Sequence, residues 1–300
     1  MKIAFLDHNG ILADLIPHFE LVKSVDEADA VVLWNDIVSF GLSTARTAHQ
    51  LGKPVIVIQH GRKAMSDYCS PFKNEFRADK MCVWGKTDRD QLLEVGISKK
   101  KIAITGTTIF SHLIGRKPHK GTNILFSPRE WDYDIEENGI IMDWLKVICR
   151  KNGWNLMVKI NDIHDKDKYK GYAVFSHRDQ LDHLEVCAKV LSEADLLITM
   201  AEYTFELLAQ YLDIPVVIAD IVMPRPFRGD RRYIDYHFPR SNAIKRFSDI
   251  NEMESVIKHQ LEHPEELKEE RKQIVIDEGG ADIENPLEEM IKVIKNVKRR

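Results

Sequence analysis

The sequence predicts an α/β protein made of two successive parallel-sheet units, and three observations carry that expectation. Short apolar runs of strand length alternate with amphipathic stretches of helix length. The strand runs are near-continuous instead of alternating apolar and polar, as expected for parallel strands covered on both faces. At "GRKPHKGT" (115–122) the periodicity stops in a polar stretch with Gly and Pro, and then it restarts. The expected domains are therefore 1–117 and 118–300.

Taken in order, "KIAFLD" (2–7), "AVVLW" (30–34), "PVIVIQ" (54–59), "MCVWG" (81–85) and "KIAITG" (101–106) read as strands of the first unit. Residues 39–51, with Ser39 as N-cap and Gly52 as C-cap, and residues 86–95, running into Gly96, read as helices. Strand, helix, strand in sequence implies parallel pairing through right-handed crossovers. The second unit reads as strand 123–127, helix 135–152, strands 155–160 and 172–176, and helix 181–193. Strand 195–199, helix 203–212 and strand 215–220 follow. Residues 249–298 read as two or three charged helices, with "DEGG" (277–280) as a break. Two facing Rossmann-like units of this kind would leave a cleft between them, since ligands of open parallel sheets bind beyond the carboxyl ends of the strands.

Composition removes several function classes. Hydrophobic content of 44% with 30% charged residues describes an ordinary soluble globular chain. A net charge of −4 gives no general footprint for nucleic acid or an anionic membrane. Cys69, Cys82, Cys149 and Cys187 are widely spaced with no C-x-x-C pair, so neither a disulfide framework nor a zinc site is indicated. The apolar run before Asp7 is too short for a signal peptide, and no run approaches the roughly 20 residues that span a bilayer. A cytoplasmic location is expected.

The residues beyond the strand ends are the candidate cleft residues. In the first unit they are His8 and Asn9, then His60 and Gly61, then Thr107. In the second they are Arg129, Lys159, His164, His177, Arg178, Glu202, Tyr203 and Thr204. Gly10 is not part of a G-x-G-x-x-G, so a dinucleotide fingerprint is absent. His60, at the end of the buried run "VIVI", is either a catalytic base or a histidine where a strand ends. The helix opening near Tyr203 favours an anion through its free N–H groups and dipole, with the Thr204 hydroxyl as an added donor. Glu206, in its first turn, either binds a ribose diol or only complements that dipole. Arg129 and Lys159 stand beyond two strands of one sheet and are suited to clamp a diphosphate.

"RPFRGDRRYIDYHFPR" (225–240), which includes Arg228, interleaves arginines with Tyr233, Tyr236, His237 and Phe238. Such a mixture stacks bases and holds phosphates. After the last clear strand it reads as a loop over the cleft. A nucleic-acid role for one basic loop on a net-acidic chain is the weaker reading.

An ordered series of segments over 54–294 resembles the GT-B glycosyltransferase superfamily, and within it the CDP-glycerol glycerophosphotransferase group. "QHG" follows the third strand, and "ADKMCVWGKTDRDQLLEVGISKKKIAITGTTIF" is similar to the group's next block. "LFSPRE", "VKINDIH", "ADLLITMAEYTFELLAQYLDIPVV", "FRGDRRYIDYHFPRSNAI" and "DEGGADIENPLEEMI" continue the series in order. UDP-N-acetylglucosamine 2-epimerases share several blocks, "ITGTT" resembling one of them.

The resemblance implies a GT-B fold and transfer of a glycosyl or glycerol-phosphate group. The donor would be a nucleotide sugar or CDP-polyol, and the acceptor a hydroxyl compound such as a cell-surface glycan precursor. It implies His60 as general base or as a neighbour of the leaving phosphate. Arg129, Lys159 and Thr204 would bind the donor diphosphate, and Glu206 the ribose. Neither a cofactor nor a catalytic metal is implied, because cationic side chains and a helix dipole can hold the leaving group. The sequence departs from the group where Glu202-Tyr203-Thr204 replace a serine pair, and where His164 follows Asn161-Asp162-Ile163 with no His-Pro pair. Two other classes remain as alternatives. A nucleotide-sugar epimerase would draw on Asp7, Asp36, Glu130 or Glu202, and a non-catalytic nucleotide or nucleic-acid binding module would use the 225–240 segment.

Overall fold

The computed structural model describes residues 1–6, 13–34, 39–62, 77–117, 120–128, 135–160, 169, 172–176, 183–200, 204–221 and 242–297. The chain forms two compact units, one holding Met1–Thr108 and Ile276–Arg300, the other Ile109–Arg228 and Arg240–Val275. Among the described residues no helix is long and apolar enough to cross a membrane.

The first unit is built on a wholly parallel sheet of β1 (Lys2–Leu6), β2 (Glu20–Val22), β3 (Ala30–Leu33), β4 (Val55–Ile58), β5 (Lys80–Val83) and β6 (Ile102–Ile104). Their spatial order is β2-β1-β3-β4-β5-β6. Five of the strands are the expected ones. The added edge strand β2 is three residues long and mostly exposed, so it leaves no apolar run to read. Helices α1 (Ser39–Gln50) and α2 (Lys86–Glu94) also lie where the sequence places them.

The pleat sends alternate side chains to opposite faces. Val31, Leu33, Val55, Val57, Met81 and Val83 pack with Ala45 and Ala48 of α1 and Leu92 of α2. Ile3, Ala30, Val32, Ile56, Ile58 and Cys82 face the other way and pack on Leu15, Met290 and Ile294. The last two belong to the final helix, Pro286–Asn296, which the expected boundary at 118 places with the second domain. The reason for its return is plain: α1 and α2 cover one face only, and a parallel sheet needs both covered. Asn285 caps this helix by accepting the Glu288 N–H at 3.1 Å, and Pro286 follows at the first position, where its missing N–H costs nothing.

The second unit carries β7 (Asn123–Ser127), β8 (Asn155–Ile160), β9 (Ala173–Ser176), β10 (Leu196–Thr199), β11 (Val216–Ala219) and β12 (Lys245–Phe247), again all parallel. Their order, β12-β11-β10-β7-β8-β9, is the Rossmann order read from the far edge. The helices are α3 (Ile135–Asn152), α4 (His183–Ser192), α5 (Thr204–Tyr211), α6 (Met253–Glu262) and α7 (Lys268–Gly279), and Pro286–Asn296 is α8. Ile124, Phe126, Val158, Ile160, Ile198 and Val217 pack against α3 and α6 on one face. Lys159 lies between Val158 and Ile160, so the pleat turns it to the opposite face. Buried Arg271 of α7 reaches Asp213, at the turn after α5, with Nε at 2.9 Å and Nη2 at 2.6 Å from Oδ1.

Candidate functional site

In a sheet of Rossmann order the crossovers diverge at the first and fourth strands, here β7 and β10, and a ligand crevice opens beyond their carboxyl ends. Ser127 and Thr199 are the last paired residues there, and both are buried. Thr204 begins α5 five residues after Thr199, which brings the helix N-terminus to this edge. Two charged side chains are buried near it: Lys159, near the end of β8 and against Phe205 of α5, is 6% exposed, and Glu206, in the first turn of α5, is 1% exposed. Removing an ionised group from water costs several kcal/mol unless other groups compensate. Lys159 Nζ lies 4.8 Å from the centre of the Phe205 ring, a cation–π contact worth about 2 kcal/mol in a desolvated setting. Burial pushes the Cys187 thiol of α4 up, and the Lys159 charge acts against that rise, so the ammonium is felt across this face.

In the first unit His60 stands at the carboxyl end of β4, half-buried. Its Nδ1 is 3.2 Å from the Trp34 carbonyl oxygen, and the two rings meet edge to face with centroids 4.6 Å apart. A carbonyl only accepts, so Nδ1 carries the hydrogen of the neutral ring and Nε2 carries the lone pair. This tautomer can take a proton at Nε2. The flanking residues are held from below. Gln59 Oε1 accepts the Trp84 N–H at 2.9 Å, Gln59 Nε2 donates to the Gly61 oxygen at 3.3 Å, and Trp84 Nε1 donates to the Gln59 oxygen at 2.9 Å. Buried Arg62 pairs with Glu278, its Nη2 donating to Oε1 at 3.0 Å and its Nε facing Oε2.

Asp88 of α2 lies beside this pair. Burial first, and then the Glu278 charge, pushes its carboxyl up to about 8, while Gln59, Arg62 and the Gly85 backbone pull the other way. Between its ordinary value near 3.8 and about 8, the folded chain holds a proton that the unfolded chain has released. The stability contributed by this protonated form is complete below about pH 4 and is lost as pH rises to about 8. Asp88→Asn removes the titration. Its urea midpoint should rise above that of the unsubstituted chain at pH 8, by up to a few kcal/mol in stability, and the gap should narrow towards pH 5. Parallel pH profiles for the two proteins would contradict this.

Of the residues expected in the site, Lys159, Thr204 and Glu206 lie at one end of the second sheet, while His60 and Gly61 stand in the first unit. Thr107 is buried, and its N–H is taken by the Gly279 oxygen at 3.2 Å. Arg129, His8, Asn9, His164, His177, Arg178, Glu202, Tyr203 and Arg228 lie outside the described residues, as do Asp7, Asp36 and Glu130. Among the described residues no group of three or more His, Cys, Asp or Glu side chains could hold a metal ion. Sequence reading missed Trp34, Arg62, Asp88 and Glu278. Arg62 and Glu278 are 216 residues apart, and no local pattern announces such a pair.

No protein-family model matches the chain, and no curated protein sequence matches it. Solved structures do. MnaA of S. aureus, solved with UDP, is 14% identical over 98% of this chain and 95% of its own, with a TM-score of 0.61. The wall teichoic acid polymerase TagF is 12% identical over 97% of this chain and 86% of its own, with a TM-score of 0.57. A Listeria monocytogenes protein assigned as a UDP-N-acetylglucosamine 2-epimerase is 13% identical over 99% and 89% of the two chains, with a TM-score of 0.57. These likenesses establish the GT-B-like fold, with its two parallel sheets.

Proposed function

We propose that this chain is a transferase that moves a glycosyl or glycerol-phosphate group from a nucleotide-activated donor to an acceptor hydroxyl. The observation that carries this reading is the pair of buried charged residues, Lys159 and Glu206, at the carboxyl edge of a Rossmann-ordered sheet where α5 begins. Lys159, the Thr204 hydroxyl and the α5 N-terminus bind the donor diphosphate, joined by Arg129 after β7. Glu206 accepts hydrogen bonds from the ribose diol. The structurally similar MnaA, solved with UDP, supports a nucleotide of this kind.

His60 of the first unit serves as base towards the acceptor, because an imidazole with a pKa of about 6.5 titrates near working pH. Its Nε2 takes the hydroxyl proton as the acceptor oxygen bonds to the anomeric carbon, or to the glycerol-bearing phosphorus. The bond from that atom to the donor's leaving oxygen breaks, and the nucleotide departs with the electron pair. The Lys159 ammonium and the α5 dipole meet the charge that develops on it. The reaction is metal-independent in this reading, so a chelator leaves turnover unchanged.

The test is incubation with a panel of nucleotide sugars and CDP-glycerol. Nucleoside diphosphate release identifies a glycosyltransferase, and CMP release a glycerophosphotransferase. Isomerisation of the sugar without release would replace this reading with an epimerase. Inertness towards every donor would overturn the enzymatic reading and leave a binding module.

A further inference from the structure

We propose that Glu278, carried back to the first unit by the C-terminal part of the chain, is a positioning residue for His60 and acts through Arg62. This rests on the reading of His60 as the base. Arg62 follows His60 by two residues, and its buried guanidinium engages both carboxylate oxygens of Glu278. On the other side Gln59 is fixed by Trp84 through hydrogen bonds at 2.9 Å to and from the backbone and side chain. The His60-Gly61 pair is therefore strung between two buried anchors. The contact of the imidazole with the Trp34 carbonyl depends on where that span holds it.

The place of Glu278 is in turn set by close backbone packing. A Cβ on Gly85 would lie 2.1 Å from the Asp277 oxygen, and one on Gly280 would lie 2.3 Å from the Trp84 oxygen. Gly280 also has φ +63°, so a side chain there would be strained by conformation as well as crowded by its neighbours. The Gly279 oxygen accepts the Thr107 N–H, and Lys86 pairs with Asp277 at 2.6 Å. Residues 277–280 are thus seated on the carboxyl ends of β5 and β6. Trp84 touches both this seat and Gln59, so both anchors of the His60 loop report on the same segment. A purely structural clamp could tie the segment anywhere on the unit. This one ends two residues from the proposed base.

The test is the nitrogen spectrum of the full chain labelled with ¹⁵N-histidine, with His60 assigned by its loss in His60→Gln. The expected result is an Nδ1–H tautomer in the unsubstituted chain, and a tautomer ratio changed at least about fivefold in Glu278→Gln, the effect of losing one ordinary hydrogen bond. Where Glu278→Gln does not fold, Arg62→Met/Glu278→Leu fills the site with apolar groups, as buried ion pairs often tolerate, and is read in the same way. A folded variant with an unchanged His60 spectrum overturns the proposal and leaves Glu278 as a clamp alone. The spectrum needs no substrate, so it decides positioning even if His60→Gln proves fully active and removes the base assignment.

Discussion

Met290→Ala/Ile294→Ala is expected to unfold the first unit and leave the second folded. Both side chains are buried on the face formed by Ile3, Ala30, Val32, Ile56 and Ile58. Truncating a buried Met or Ile to Ala costs about 2–5 kcal/mol. The two lie one helical turn apart and share neighbours, so their costs couple; together they amount to roughly 5 kcal/mol. That is comparable with the whole stability of an ordinary domain, about 5–15 kcal/mol. Hydrogen exchange read by mass spectrometry separates the units: peptides from β1 to β6 should lose protection while those from β7 to β12 keep it. Full protection in both would mean that α8 does not close the first core.

His60→Ala should lower turnover by about 10²–10⁴, the range for loss of a general base, with the Michaelis constant for the donor little changed. The pH profile supplies the second signature. A base works only when deprotonated, so turnover in the unsubstituted protein rises with pH through the imidazole titration, and His60→Ala loses that limb. A variant with near-normal turnover would return His60 to the plainer role of a histidine at a strand end.

Much of the fold was legible because buried parallel strands are written as continuous apolar runs. Residues 123–127, 135–152 and 155–160 have the expected bounds, and most other elements agree within two residues. The two missed strands, "ELV" and "KRF", are three-residue edge strands with no such run. The placement of α8 was illegible for a different reason. Its amphipathic pattern says that it covers a face, but sequence order does not say which sheet lacks a cover. The same holds at the site. Lys159 and Glu206 were visible as a strand end and a helix start, whereas their burial depends on α4, α5 and the sheet together. Trp34 as the partner of His60, and Glu278 as the partner of Arg62, follow from how distant segments fold back, and each is an ordinary residue in its own stretch.

The proposed nucleotide site of the second unit lies at the start of α5. Calorimetric titration of the full chain with UDP and with CDP tests it most directly, repeated on Glu206→Ala and Lys159→Met. Binding of at least one of the two is expected, weakened at least about tenfold, or about 1.4 kcal/mol, by each substitution. No heat with either nucleotide, or equal affinity in all three proteins, would contradict it.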